Sequence, residues 1–307
     1  MIPANRSPNG YLARARTTDD IELEGFVVEA LDVKTAPTTL VHVHGMFENF
    51  HMPAFVDEML SRVSETGMTM VAVNTRAQDY THYHRHWSDG SYTWKRNGGS
   101  YEIFSNCLPD LDGWIDYCHT QIGAKRIILS GHSHGALKVA YYAAKRQNAR
   151  IDGLILMSPS DDIEMQEAAL GERYDEALEL ASSLIAAGNG EEFVPDWMYS
   201  SPISAEMYRD MFGTQSDLNI FRLRRPESSS GLAASVNIPT LLLYGEHDIA
   251  TAGLPSAEAA AACRSLLGEK ADVTTAVVAG ADHQYLNHEE ELVALVTGWA
   301  ARHVDKS

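Results

Sequence analysis

Two kinds of pattern alternate along most of this chain. Residues 39–44, 68–73, 125–130, 151–157, 239–244 and 271–278 are short apolar runs of strand length, rich in Val, Ile, Leu and Thr. Residues 55–63, 104–122, 137–145, 256–267 and 289–304 instead carry apolar positions three and four apart. Phe104, Leu108, Leu111, Ile115, Cys118 and Ile122 form one such face. Strands apolar on both faces belong inside a parallel sheet, and helices between them supply the crossovers. The predicted fold class is therefore α/β, a mostly parallel central sheet flanked by helices. Residues 11–16 and 21–31, joined near Thr18, Asp19 and Asp20, predict an antiparallel hairpin ahead of that rhythm.

The rhythm breaks twice. From Arg76 to Phe104 the chain reads as a long polar and aromatic loop. It exceeds the roughly 12–15 residues usual for an unstructured connection, which often marks function. It holds Tyr80, Tyr83, Trp87, Tyr92 and Trp94 with Arg76, Arg85, Lys95 and Arg96. Aromatic walls with a few fixed polar groups suit a small-molecule pocket, and arginine beside them suits flat, oxygen-rich acyl groups. Arg76, Trp87 and Trp94 are thus the candidate substrate-binding residues; the competing reading has these rings packing the loop onto the fold. The second break covers residues 159–238, helical at 163–187 and then broken by Pro, Ser and Gly. It predicts a helical cap over the carboxyl edge of the sheet, inserted into a core domain of residues 1–158 and 239–307.

The most telling stretch is Ile127-Ile128-Leu129-Ser130-Gly131-His132-Ser133-His134-Gly135. A strand runs into Gly-x-Ser-x-Gly and a helix follows, the setting of a nucleophile elbow. The turn strains the backbone of Ser133 and lifts its hydroxyl clear of the sheet, and side chains at Gly131 and Gly135 would collide with their neighbours. The helix N-terminus points at the nucleophile, so the His134 amide becomes an oxyanion donor. A second donor is expected from the amide of Met46, or less favourably Phe47, after the strand that ends in His44-Gly45. Functional residues of such a sheet lie at carboxyl ends of strands. Asp248 and His283 both follow strand ends, in the order Ser, acid, His. His283 would take the hydroxyl proton, its unperturbed pKa being about 6.5, and Asp248 would hold the imidazole tautomer. Glu246 and Asp272 are rival acids; His247 and His288 are rival bases.

These four stretches make the chain resemble the serine α/β-hydrolase superfamily over nearly all of residues 20–304. A weaker likeness, in Gly131-His132-Ser133, Leu154–Asp161 and Ser201–Ala205, is to the branch that includes fungal siderophore (fusarinine-type) esterases. The resemblance implies nucleophile, base and acid roles for Ser133, His283 and Asp248, with Met46 and His134 at the oxyanion. The expected activity is hydrolysis of a carboxylic ester or thioester of a small, polar, bulky substrate. Lactonase, amidase or acyltransferase chemistry on the same triad stays open, as does a non-catalytic small-molecule receptor.

Composition narrows the partners. A net charge of −18 argues against nucleic acid and anionic membrane surfaces. No run is long and apolar enough to span a bilayer, and residues 1–8 lack the apolar core of a signal peptide. Cys107, Cys118 and Cys263 are too few and scattered for a disulfide framework, so a cytoplasmic location is expected. The expected partner is a small-molecule ester, with no nucleic acid, membrane or cofactor; a homo-oligomer is compatible with the sequence. His82, His84 and His86 alternate at strand spacing and so could face one way around a metal. The preferred reading is a polar loop or edge strand with no metal, because the nucleophile-elbow mechanism uses none.

Overall fold

The structure, a computed structural model, describes residues 10–31, 38–147 and 151–304; residues 1–8, which bear on the signal-peptide expectation, lie outside the described residues. The strands are β1 (Gly10–Arg16), β2 (Glu22–Val28), β3 (Thr38–Val43), β4 (Thr69–Val73), β5 (His82–Ser88), β6 (Ser91–Asn97), β7 (Arg126–His132), β8 (Gly153–Met157), β9 (Thr240–Gly245) and β10 (Val273–Val278). The α-helices are α1 (Ala54–Glu65), α2 (Cys107–Tyr117), α3 (His134–Arg146), α4 (Asp162–Leu170), α5 (Tyr174–Ala186), α6 (Ala205–Phe212), α7 (Ser256–Leu266) and α8 (Glu289–Val304).

Eight strands form one sheet in the order β1-β2-β4-β3-β7-β8-β9-β10. The predicted hairpin of β1 and β2 is antiparallel and joins β4 antiparallel; from β4 to β10 every pairing is parallel. The strand period of two sorts the core. Val41, Val43, Val71, Val73, Ile127, Leu129, Leu154, Leu156 and Leu242 point to one face, where they meet α2, α3, α7 and the 159–238 segment. Leu40, Met70, Ala72, Ile128, Ile155, Met157, Leu241 and Leu243 point to the other, under α1 and α8. This two-sided burial is why the central strands read as continuous apolar runs.

The stretch from Arg76 to Phe104 is not an open loop. β5 and β6 pair antiparallel from His82↔Asn97 to Ser88↔Ser91. They turn at Asp89 (φ 50°) and Gly90 (φ 79°), an Asp-Gly pair suited to left-handed backbone. The turn signal was present in the sequence. The edge-strand reading of His82, His84 and His86 holds, while the pairing strand Ser91–Asn97 carries no apolar alternation that would announce the hairpin.

Between β8 and β9 the chain forms α4, a short 3₁₀ turn, α5 and α6. Asp161 caps α4 by accepting from the Glu164 amide (3.0 Å), and Ser204 caps α6 by accepting from the Met207 amide (3.1 Å). Arg222 closes the segment on itself, pairing with Asp161 (3.5 Å), Glu164 (3.1 Å) and Glu167 (3.0 Å). Its buried Met207, Tyr208, Met211, Phe212 and Phe221 pack continuously with one layer of the sheet's core. No described helix is long and apolar enough to cross a membrane. All three cysteines are buried free thiols.

Candidate active site

The tight β7–α3 connection organises the site. Ser133 lies at φ 54°, ψ −124°, a strained conformation for a residue with a side chain. A Cβ on Gly131 would lie 2.2 Å from the Gly135 carbonyl oxygen, and one on Gly135 would lie 2.4 Å from the carbonyl oxygens of both Val43 and His44. The first turn of α3 therefore presses against the end of β3. That contact brings the His134 amide, which has no partner within its own helix, beside the turn that carries Gly45 and Met46. Phe47 closes this turn at φ 59° and stacks on Tyr80 with ring centroids 4.4 Å apart.

Ser133 meets two residues from distant loops. The His283 Nε2 atom lies 3.0 Å from Ser133 Oγ, and His283 Nδ1 lies 2.7 Å from Asp248 Oδ1. Asp248 Oδ1 also accepts from the Ala250 amide (2.9 Å). The Ser158 hydroxyl donates to Asp248 Oδ2 and lies 2.8 Å from the Tyr285 hydroxyl, which must then donate to it. Burial alone would raise the Asp248 carboxyl, but its hydrogen bond to His283 and the His283 charge outweigh this and hold it below its ordinary value. Burial likewise opposes a charge on His283, yet the Asp248 hydrogen bond and charge win and raise its pKa. An imidazole held in this way has the geometry that a general base for a serine hydroxyl requires.

Three of the rival groups have other partners. Glu246 Oε2 accepts from the Gly280 amide (2.7 Å), tying two loops together, and Asp272 precedes β10, its backbone oxygen accepting from Thr240 (2.9 Å). His288 Nδ1 faces Glu291 at 3.8 Å. The three residues proposed to touch substrate are each engaged by other partners in the structure. Arg76 is 6% exposed; its guanidinium is consumed by Asp110 (2.7 and 2.8 Å) and Asp19 (2.8 Å twice). The Trp87 indole donates to Glu22 (3.1 Å), and Trp94 is 59% exposed against Tyr92 and Arg85. The aromatic groups at the turn carrying Met46 and Phe47 are Tyr80, on Phe47, and Tyr199, whose hydroxyl donates to the Met46 sulfur (3.6 Å).

The His82 and His84 rings lie 4.6 Å apart on the hairpin, tilted 54° to one another, and burial drives the His84 pKa down to about 3. Among the described residues no three His, Cys, Asp or Glu side chains are grouped to hold a metal. His44 Nδ1 donates to the Gly45 carbonyl (2.7 Å) and Nε2 accepts from the Thr75 amide (3.2 Å). Burial, first, and the Lys138 charge push it down to about 4, so it stays neutral and shapes the turn. His134 lies between Glu102 (3.2 Å) and Asp162 (3.3 Å), with Lys138 donating to Glu102 (2.8 Å). Burial opposes its charge, but the Glu102 carboxylate outweighs burial and raises its pKa. Sequence reasoning missed Glu48, Ser158 and Tyr285. Each lies within a few residues of a motif, but only folding aims it at the site.

A family model described as the alpha/beta hydrolase fold matches residues 38–179. Solved structures cover nearly the whole chain. They include the siderophore hydrolase EstB from Aspergillus fumigatus (17% identical, 98% of this chain and 99% of that one, TM-score 0.66). They also include Est1E from Butyrivibrio proteoclasticus with ferulic acid bound (18%, 96% and 100%, TM-score 0.67). A third is the alpha/beta hydrolase GrgF from Penicillium sp. sh18 (15%, 96% and 99%, TM-score 0.69). This chain has the α/β-hydrolase fold. Over 145 residues it is 27% identical to "Phospholipase YtpA" of Bacillus subtilis (strain 168), covering 41% of this chain and 52% of that relative. The match thus spans about half of that relative's length. The resemblance to the siderophore-esterase branch accordingly rests on overall fold, with weak sequence similarity.

Proposed function

We propose that this protein is a metal-independent serine hydrolase that cleaves a carboxylic ester or thioester of a small, polar, bulky substrate. One observation carries the reading: a strained Ser133 whose hydroxyl lies 3.0 Å from an imidazole held by a carboxylate at 2.7 Å. Ser133 attacks the acyl carbonyl as His283 takes its proton. The amides of Met46 and His134 receive the oxyanion, and Asp248 stabilises the imidazolium. His283 then protonates the leaving group, which departs from an acyl-enzyme, and activates the water that hydrolyses it. Supporting the ester reading, the structural relatives include proteins named as an esterase and a siderophore hydrolase.

The cap, residues 159–238, covers the site in this reading. It reaches the elbow through Asp162 on His134 and the oxyanion turn through Tyr199 on Met46. Tyr80, Phe47 and Tyr199 offer flat walls with hydroxyl groups, which favours a polar, ring-bearing acyl or alcohol group over a long alkyl chain.

The test is turnover on a panel of bulky polar esters, thioesters, lactones and long-chain p-nitrophenyl esters, with a fluorophosphonate probe. One adduct per chain at Ser133 and loss of turnover in Ser133→Ala, without a lower melting temperature, are expected. Labelling at another residue, or turnover surviving in that variant, would sink the reading. Lack of turnover on every ester by a labelled protein would favour a receptor.

A further inference from the structure

The Ser133 mechanism uses one carboxylate, yet a second stands at the same site. Glu48 lies four residues past His44, at the far end of the oxyanion turn. Its side chain is largely buried, and it makes two hydrogen bonds to loops that meet only here. Oε2 accepts from the Gly45 amide (2.9 Å), immediately before the proposed oxyanion donor at Met46. Oε1 accepts from Gln284 Nε2 (3.0 Å), immediately after His283.

Glu48 also reaches the backbone of His283 indirectly. His132 Nδ1 lies 3.7 Å from Glu48 Oε2, beyond hydrogen-bond distance, and His132 Nε2 donates to the His283 carbonyl oxygen (2.8 Å). Proximity to the nucleophile follows from Gly45. A Cβ there would sit 2.7 Å from Glu48 Oε2 and 3.3 Å from Ser133 Cβ, so little more than a glycine separates carboxylate from elbow.

We propose that Glu48 is the positioning residue of this site, setting the oxyanion turn against the His283 loop and adding a second negative charge behind the imidazolium. The proposal rests on the Ser133 reading above. Its electrostatics agree. Burial would raise the Glu48 carboxyl, but the neighbouring His132, Gln284 and the Gly45 amide outweigh burial and hold it down to about 2. It therefore stays charged wherever the enzyme would work. His283 is faced by Asp248, by Glu48 and more remotely by Asp162, all raising its pKa, and by the His132 ring at 4.8 Å. Glu48 is itself faced by His132 and, from β3 and the residue just past it, by His42 and His44, which burial keeps neutral with pKa values of about 3 and 4.

Charge and tether separate experimentally. Glu48→Gln keeps the shape and removes the charge; Glu48→Asp keeps the charge and shortens the reach. The pH profile of kcat/KM is measured for both on whichever ester the wild type turns over, or through the fluorophosphonate labelling rate. In Glu48→Gln the acid limb, which reports His283, is expected about 0.5–1 pH unit lower, since an opposite charge nearby favours the imidazolium. Plateau kcat is expected roughly tenfold lower with KM nearly unchanged, because the imidazolium forms only after binding. In Glu48→Asp the limb stays in place while kcat falls roughly 10–10²-fold from misplacement of the donors. An unmoved limb in Glu48→Gln overturns the charge role, and unchanged kcat in Glu48→Asp overturns the tether. Ser133→Ala runs beside them: if it stays active, the fault lies in the Ser133 reading; if it is dead, a failure belongs to Glu48.

Discussion

Replacing Asp248 by asparagine tests the triad at its best-defined contact. Oδ1 accepts from two N–H groups, His283 Nδ1 and Ala250 N, whereas Oδ2 accepts from the Ser158 hydroxyl, which can rotate. An asparagine is therefore expected to keep its oxygen towards His283 and turn its amide to Ser158. The productive imidazole tautomer survives and the carboxylate charge is lost. Two unit charges about 4 Å apart at an effective dielectric of about 20 interact by about 4 kcal/mol. Both side chains are well buried, so solvent screening is modest. At 1.36 kcal/mol per decade this predicts a fall in kcat/KM of about 10³-fold, short of the ~10⁴ seen when the tautomer is also wrong. The acid limb should also move to lower pH, because the group that raises the His283 pKa is gone. The assay is kcat/KM against pH for Asp248→Asn and, as a rival, Glu246→Gln, whose carboxylate accepts from the Gly280 amide. A loss under tenfold in Asp248→Asn, or a larger loss in Glu246→Gln, would refute the assignment.

Two further outcomes follow from packing and burial. Gly135→Ala should fail to fold, or melt far below the wild type, because its Cβ would lie 2.4 Å from the carbonyl oxygens of Val43, the last residue of β3, and of His44 just past it; a melting temperature close to wild type would contradict the close helix–strand contact. Glu48 and Glu102 are each held near 2 in the folded protein against an ordinary 4.5, where burial is outweighed for Glu48 by His132 and for Glu102 by Lys138 and His134. Their stabilisation is complete above about pH 4.5 and is lost as pH falls towards 2, so acid unfolding in that window should weaken in Glu102→Gln, followed by circular dichroism.

The two-layer core, the strand and helix order and the elbow were legible in the sequence because each depends on local spacing. Apolar runs on β3, β7 and β9 announce strands buried on both faces, and Gly131 and Gly135 flank a serine that only such a turn accommodates. Ser133, Asp248 and His283 were named for their places at strand ends, and the sheet brings those ends together. The rest depended on contacts between segments far apart in the chain. Arg76 looked like a free cation in an aromatic loop; two carboxylates, at Asp19 and Asp110, claim it, and neither is near it in sequence. The aromatic stretch looked open because its hairpin has no apolar face to announce it. Tyr199 reaches Met46 across 153 residues, and Glu48 joins loops separated by 236. Side-chain period reports which face a residue takes on its own element. Which partner waits on that face is decided only when the sheet order sets one loop against another.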